Sequence, residues 1–207
     1  MTETTLPTDG RAARAARTRD AIVDACIGLV EAGDVRPTAP RIAERAGVSV
    51  RSVFQHFDDL PSLHTAVVSR VFERLSMLVV AVDPALPRAQ RIEAFARYRA
   101  GLLEAISPFR RAAAVHAPFA PRIADAVAEG EVFLRDQVAA TFAPELAAVR
   151  PGEARELLDA LAACGSWGTW ETLRRGGGTG EDGTPAAAEA VLRRLLRALL
   201  AEVPAPG

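Results

Sequence analysis

Residues 38–57 of this 207-residue chain read TAPRIAERAGVSVRSVFQHF. Thr38 and Ser49 are residue types that favour the N-cap of a helix, and each precedes a short run of helix-compatible residues. Gly47 lies between the two runs and can adopt a left-handed backbone conformation without steric cost. The stretch therefore predicts two short helices, the second over residues 50–56, joined by a tight turn as in a helix-turn-helix.

The apolar side chains of this stretch are spaced to pack on a preceding helix and form a small core; they are Ile42, Val48, Val53 and Phe57. Ala43 is small where the two short helices have to cross. This arrangement leaves Arg51, Ser52 and Gln55 pointing outward from the second helix. Arginine can pair with guanine, glutamine with adenine and serine with either, so these side chains are suited to reading base edges in a major groove.

The same stretch resembles the DNA-binding domain of the tetracycline-repressor (TetR) family. The resemblance rests on an arginine-bearing first helix at Arg17–Ile22, an Ile-Ala-Glu-x-Ala-Gly-Val-Ser pattern at Ile42–Ser49, and an aromatic-x-His-Phe ending at Phe54–Phe57. It covers roughly residues 15–65 and implies that helix 50–56 enters the major groove, with Thr38, Ser49 and His56 near phosphates. The predicted DNA-contacting residues are Arg17, Thr38, Ser49, Arg51, Ser52, Phe54, Gln55 and His56.

The chain departs from the family pattern at two positions. Phe54 stands where the family usually has tyrosine, and Leu60 where it usually has lysine. Both departures remove a group that could contact phosphate. From the residues alone, a helical corner without DNA binding and a packed rather than phosphate-bound His56 also remain open.

The charge distribution agrees with a nucleic-acid contact at one end of the chain. All 25 basic residues are arginines, and the formal net charge is −1. Residues 11–57 carry eight arginines against five acidic residues, whereas the remainder of the chain is net acidic. A basic end on an acidic body is typical of proteins that bring one end to phosphate, although a solvated basic segment would have the same composition.

Helical periodicity continues along the whole chain and predicts an all-α fold of about nine helices. The predicted helices lie at 11–32, up to 46, 50–56, 60–82, 88–106, 108–116, 119–142, 152–174 and 185–202, with a flexible glycine-rich connector at 176–183. We predict an N-terminal three-helix helix-turn-helix domain over residues 11–58. A helical ligand-sensing and dimerisation domain is predicted over residues 59–207.

The resemblance also implies a repressor that works as a homodimer on double-stranded operator DNA and is released by a small-molecule ligand. Candidate ligand contacts are Met77, Phe95, Tyr98, Leu102, Phe109, His116, Phe133, Trp167 and Trp170. Candidate dimer contacts come from the apolar and small-residue faces of the last two predicted helices: Leu157, Leu161, Cys164, Gly168, Leu192, Leu195, Leu196 and Leu199. Core packing within one chain is the alternative for both sets.

An enzyme and a helical adaptor that never touches DNA are the rival classes. The absence of lysine excludes Schiff-base and lysine-base chemistry. The three histidines have no metal-ligand spacing, and the two cysteines, Cys26 and Cys164, fall on apolar helical faces. We therefore predict no catalytic activity, no metal and no cofactor. A polar N-terminus and the lack of any apolar run of membrane length predict a cytoplasmic protein without a membrane partner.

Overall fold

The computed structural model describes residues 8–175 and 183–204. The described residues form helices, turns and loops and contain no β-strand, so the predicted all-α class is confirmed. The glycine-rich connector predicted at 176–183 lies, apart from Gly183, outside the described residues. No helix in the described ranges is long and apolar enough to cross a membrane.

Ten α-helices and one short 3-10 helix are present in the described part of the chain. They are α1 (Thr8–Glu31), α2 (Ala39–Ala46), α3 (Val50–His56), α4 (Leu60–Ser76), α5 (Arg88–His116), the 3-10 helix (Ala117–Phe119), α6 (Pro121–Thr141), α7 (Ala143–Ala147), α8 (Pro151–Cys164), α9 (Trp167–Arg174) and α10 (Pro185–Leu200).

The predicted bounds of four helices were wrong: 60–82, 88–106, 108–116 and 152–174. Helix α4 ends at Ser76 rather than near residue 82, and the side chains of residues 77–80 are exposed. Without burial of an apolar face, little stabilises a further turn of helix there. Helix α5 runs through Pro108, where two helices were predicted, because a proline removes only one amide donor and packing on either side keeps the helix intact.

The predicted helix 152–174 is two helices, α8 and α9. The break falls at Gly165 and Ser166, where the Ser166 hydroxyl accepts a hydrogen bond from the Thr169 N–H (3.3 Å) and so begins α9 as its N-cap. The apolar spacing continues across this break, which is why periodicity alone did not reveal it.

The chain divides into two compact units. The first comprises the residues up to Ser76 together with Pro108–Ala126; the second comprises Met77–Ser107 and the residues from Val127 onward. Each unit buries apolar side chains of its own. The core of the first unit draws on α1, α2, α3 and α4 through Ile22, Cys26, Ile27, Ile42, Ala43, Val53, Phe57 and Leu63.

The second unit combines apolar packing with buried charge. Glu145 is fully buried and forms an ion pair with buried Arg91 and another with Arg88, whose Nε lies 3.0 Å from Glu145 Oε1. Arg88 Nη1 also donates to the Leu200 carbonyl oxygen (3.1 Å) at the end of α10. This cluster joins the start of α5 to α7 and to the end of α10.

Candidate nucleic-acid interface

The turn between α2 and α3 has the predicted left-handed glycine. Gly47 adopts φ 68° and ψ 31°, and its N–H donates to the Glu44 carbonyl oxygen at 3.2 Å. The Val48 N–H donates to the Ala43 carbonyl oxygen at 3.0 Å, which closes the end of α2. Any other residue at position 47 would bring a Cβ into this strained conformation, so the glycine fixes the angle at which α3 leaves the turn.

The two predicted N-cap residues differ in what their side chains do. The Ser49 Oγ accepts a hydrogen bond from the Ser52 N–H (3.1 Å), which caps α3 as predicted. Thr38 has the extended backbone of an N-cap, but its side chain makes no capping hydrogen bond. The exposed Thr38 side chain therefore does not cap α2.

Helix α3 has one buried and one exposed side. Val53 and Phe57 are 1% and 3% exposed and belong to the core of the first unit. Arg51 and Gln55 are exposed, one helical turn apart. The candidates Ser52 and His56 are half-buried beside this exposed face.

Two apolar side chains also lie on the exposed side of α3. Phe54 is 47% exposed, and Val50, one turn earlier, is 39% exposed. Sequence reasoning selected Phe54 but missed Val50. The apolar pair at positions i and i+4 was the signal that could have drawn attention to it.

The arginines of α1 are of two kinds. Arg11, Arg14 and Arg17 are exposed. Arg19 is exposed as well, but its guanidinium lies 4.5 Å from the ring centroid of Phe57, the C-cap residue of α3. This cation–π contact ties α1 to α3, and it leaves the earlier arginines of the helix facing solvent.

Acidic residues in the second half of α1 are paired with arginines of α4. Arg70 Nη2 lies 2.6 Å from Asp20 Oδ1, and Arg74 Nη2 lies 2.8 Å from Asp24 Oδ1. The hydrogen bond to Asp20 raises the pKa of Arg70. These exposed pairs contribute little to stability, but they offset negative charge that would otherwise repel phosphate.

Two candidate positions have packing roles in the first unit. Leu60 is half-buried against the core, which accounts for an apolar residue at the start of α4. His116, predicted as a ligand contact, lies with its Nε2 3.0 Å from the Val35 carbonyl oxygen and its ring beside that of His64.

Solved structures of other proteins have folds similar to that of this chain. The chain is similar to a protein from Mesorhizobium loti MAFF303099 assigned to the TetR family of transcriptional regulators, with TM-score 0.66 and 22% sequence identity over 91% of this chain and 97% of that one. The chain has the fold of TetR-family regulators. The resemblance predicted from residues 15–65 is thus confirmed at the level of the fold.

Two further structures share this TetR-like fold. One is a transcriptional regulator from Rhodococcus sp. Rha1, with TM-score 0.60 and 18% identity over 91% of this chain and 97% of that one. The other is the multidrug binding protein EbrR complexed with imidazole, with TM-score 0.55 and 21% identity over 91% of this chain and 96% of that one. No protein-family model and no curated protein matches the sequence.

The predicted ligand residues do not all come together. Tyr98, Leu102, Trp167 and Trp170 share one cluster of the second unit, and Phe95 lies in the other. Met77 (79% exposed) and Phe133 face solvent, whereas Phe109 packs in the first unit. A groove on the surface of the second unit is lined by α5 and α10 residues that sequence reasoning did not select, among them Arg97, Glu104 and Glu189.

The polar partners of the aromatic cluster are within the chain. Trp167 Nε1 donates to Ser107 Oγ (3.2 Å), Trp170 Nε1 to Glu104 Oε2 (3.1 Å), and Gln137 Nε2 to the Tyr98 hydroxyl (2.5 Å). In the described residues no group of three or more His, Cys, Asp or Glu side chains could hold a metal ion.

The predicted dimer residues separate into buried and accessible ones. Leu161, Leu192 and Leu196 are fully buried within the chain, and Cys164 is nearly so. Leu157 and Leu199 are half-buried against the same core, while Leu195 and Gly168 are exposed. The exposed Val191, one turn before Leu195 on α10, was not selected from the sequence.

Proposed function

We propose that this chain is a transcriptional regulator that binds specific double-stranded DNA with helix α3. The observation that carries the proposal is the division of α3 into a buried side, with Val53 and Phe57, and an exposed side, with Arg51 and Gln55. A recognition helix needs one side to fix it to the domain and the other to present hydrogen-bonding side chains to base edges.

The groups around α3 suit phosphate contact. Helix α3 contains no acidic residue, and the exposed Arg17 and Thr38 offer a charged and a hydroxyl donor. Contacts of this kind hold the protein on the duplex and carry no sequence information. In this proposal Ser49 serves first as the cap of α3, and Ser52 and His56 contact DNA from the margin of the exposed face.

We further propose a homodimer that meets two half-sites. A side chain already buried in one protomer offers no surface to another, so the contact rests on Leu195 and Val191 of α10 and on the accessible parts of Leu157, Leu199 and Gly168. A two-fold dimer would present two α3 helices to a palindromic site.

Repression with release by a small molecule completes the proposal. The second unit has an aromatic cluster of the kind that lines ligand sites, in which Tyr98 and Trp167 are half-buried and so partly accessible. The imidazole of the EbrR structure is a small molecule bound to a protein of the same fold. A ligand that weakens DNA binding must itself be bound more weakly by the DNA complex, by the same factor.

The proposal places the chain in the cytoplasm and assigns it no catalytic role. Burial raises the pKa of the Cys26 thiol to about 12 and that of the Cys164 thiol to about 11. Because the thiolate is the nucleophilic form, both cysteines are suited to packing rather than to covalent chemistry.

Selection of DNA from a random duplex pool by the purified protein tests the proposal. We expect enrichment of one short motif in two symmetric copies about one or two helical turns apart. The matched control is the Arg51→Ala, Gln55→Ala double variant, which should fold but enrich nothing above background. Failure of the parent chain to retain any duplex at low salt would contradict the proposal.

A further inference from the structure

The exposed side of α3 carries two kinds of side chain in parallel rows. Val50 and Phe54 form one row and Arg51 and Gln55 the next, each pair one helical turn apart. The inner residues Val53 and Phe57 already complete the core of the first unit, and neither Val50 nor Phe54 belongs to that core. The apolar row is therefore available to a partner.

The two side chains of the apolar row cannot form hydrogen bonds with DNA. Phenylalanine has no hydroxyl, so Phe54 can donate a hydrogen bond neither to phosphate nor to a base, and Val50 is equally limited. A major groove offers one apolar feature among its donors and acceptors, the C5-methyl group of thymine. Apolar side chains that lie beside base-reading polar side chains would enter the same groove, where they could contact this methyl group.

We propose that Val50 and Phe54 recognise thymine methyl groups, in base pairs adjacent to those contacted by Arg51 and Gln55. This inference rests on the proposed function and specifies the bases that α3 selects. The methyl group tells T·A from A·T and from both G·C orientations, so two such contacts in each half-site would add specificity without a hydrogen bond.

Charge on the same helix favours DNA over a protein as the occupant of the apolar row. Arg51 and His56 are the ionisable residues of α3, and neither is acidic. The exposed Arg14 and Arg17 of α1 belong to the same unit. These exposed arginines match the phosphates on both sides of a groove, and the exposed Asp58 and Asp59 that follow α3 act against them.

Replacement of thymine by deoxyuridine tests the inference, because it removes the methyl group and leaves every hydrogen-bonding group in place. Using the duplex selected by the parent chain, we would substitute each thymine singly and measure affinity by fluorescence anisotropy. At one or two thymines in each half-site, loss of the methyl should weaken binding about threefold to fivefold, as expected for one buried methyl group.

Variants identify the side chains responsible. Phe54→Ala or Val50→Ala should abolish the thymine–deoxyuridine difference at its own position, whereas the matched control Gln55→Ala, on the same exposed side, should retain it. Circular dichroism should confirm that all three variants fold, since the truncated side chains lie outside the core.

The outcomes separate this inference from the proposed function. Binding to a selected duplex with no sensitivity to deoxyuridine, or with the same sensitivity in Phe54→Ala and the parent, overturns the methyl contact and leaves DNA binding intact. A change in self-association in place of a change in DNA affinity would assign the row to a second copy of the chain and also overturn the inference. Failure to bind any duplex contradicts the proposed function itself.

Discussion

The rings of His64 on α4 and His116 at the end of α5 lie with their centroids 4.9 Å apart. His116 is anchored by the Val35 carbonyl oxygen, which precedes the helix-turn-helix. Burial, and then the charge of His116, lower the pKa of His64, while Asp59 acts in the opposite direction. In the folded chain the pair therefore favours a neutral His64.

Stability should fall as the pH is lowered through the ordinary histidine value of 6.5. Between that value and the lower folded pKa the unfolded chain binds more protons than the folded one, so the contribution of His64 is complete above 6.5 and is lost below it. Melting temperatures at about pH 7.5 and about pH 5.5 would measure the effect. His64→Asn should flatten this pH dependence of the melting temperature, and an unchanged dependence in His64→Asn would contradict the account.

Glu145→Gln should destabilise the second unit severely. It leaves the buried Arg91 without its carboxylate, a change that costs ~3–5 kcal/mol in other proteins. The matched control is Glu153→Gln, which breaks the exposed pair with Arg150 and should leave stability nearly unchanged, because solvent screens exposed ion pairs. Urea unfolding of both variants is the measurement, and similar losses would show that burial does not govern these pairs.

Ser49→Ala and Thr38→Ala should separate capping from other roles. Loss of the Ser49 hydroxyl removes the cap of α3 and should reduce the free energy of unfolding by about 1 kcal/mol. Thr38 makes no capping hydrogen bond, so its truncation should leave stability unchanged and reveal any contribution to DNA affinity on its own. A comparable loss of stability in Thr38→Ala would mean that its hydroxyl does cap α2.

Leu195→Arg should dissociate the proposed dimer. The side chain is 38% exposed, so the substitution leaves the monomer core intact while placing an unpaired charge in the contact. Sedimentation should give a dimer for the parent, a monomer for Leu195→Arg and a dimer for the matched control Ala190→Arg, elsewhere on α10. A parent chain that sediments as a monomer at micromolar concentration would overturn the dimer.

Local sequence patterns were sufficient to predict the helix-turn-helix. Gly47, Ser49 and the spacing of Ile42 to Phe57 each act over a few residues, and all three appear in the structure as expected. Outside the helix-turn-helix, α1, α6 and α10 were placed to within a few residues, because proline and glycine interrupt an otherwise continuous apolar period, whereas α7 was not predicted.

Tertiary contacts could not be predicted from the sequence, because they depend on which other residues a side chain contacts after folding. The break at Ser166 interrupts no apolar period, and the continuous α5 passes a proline that usually ends a helix. The burial of Leu196 within its own protomer, and of Arg91 beside Glu145, depends on residues more than fifty positions away. Sequence patterns do not show which residues distant in the chain meet after folding, so they could neither tell which α10 leucines are buried in the core nor reveal the buried ion pairs.

The central claim is that α3 reads DNA sequence, and Arg51→Ala measured against Arg17→Ala tests it most directly. Affinities for the selected duplex and for a scrambled one would be determined by anisotropy from about 50 mM to about 200 mM salt. We predict that Arg51→Ala loses ~1–3 kcal/mol on the selected duplex alone, while Arg17→Ala weakens binding to both duplexes and reduces the salt slope by about 1. Equal losses on both duplexes for Arg51→Ala would contradict base reading by α3.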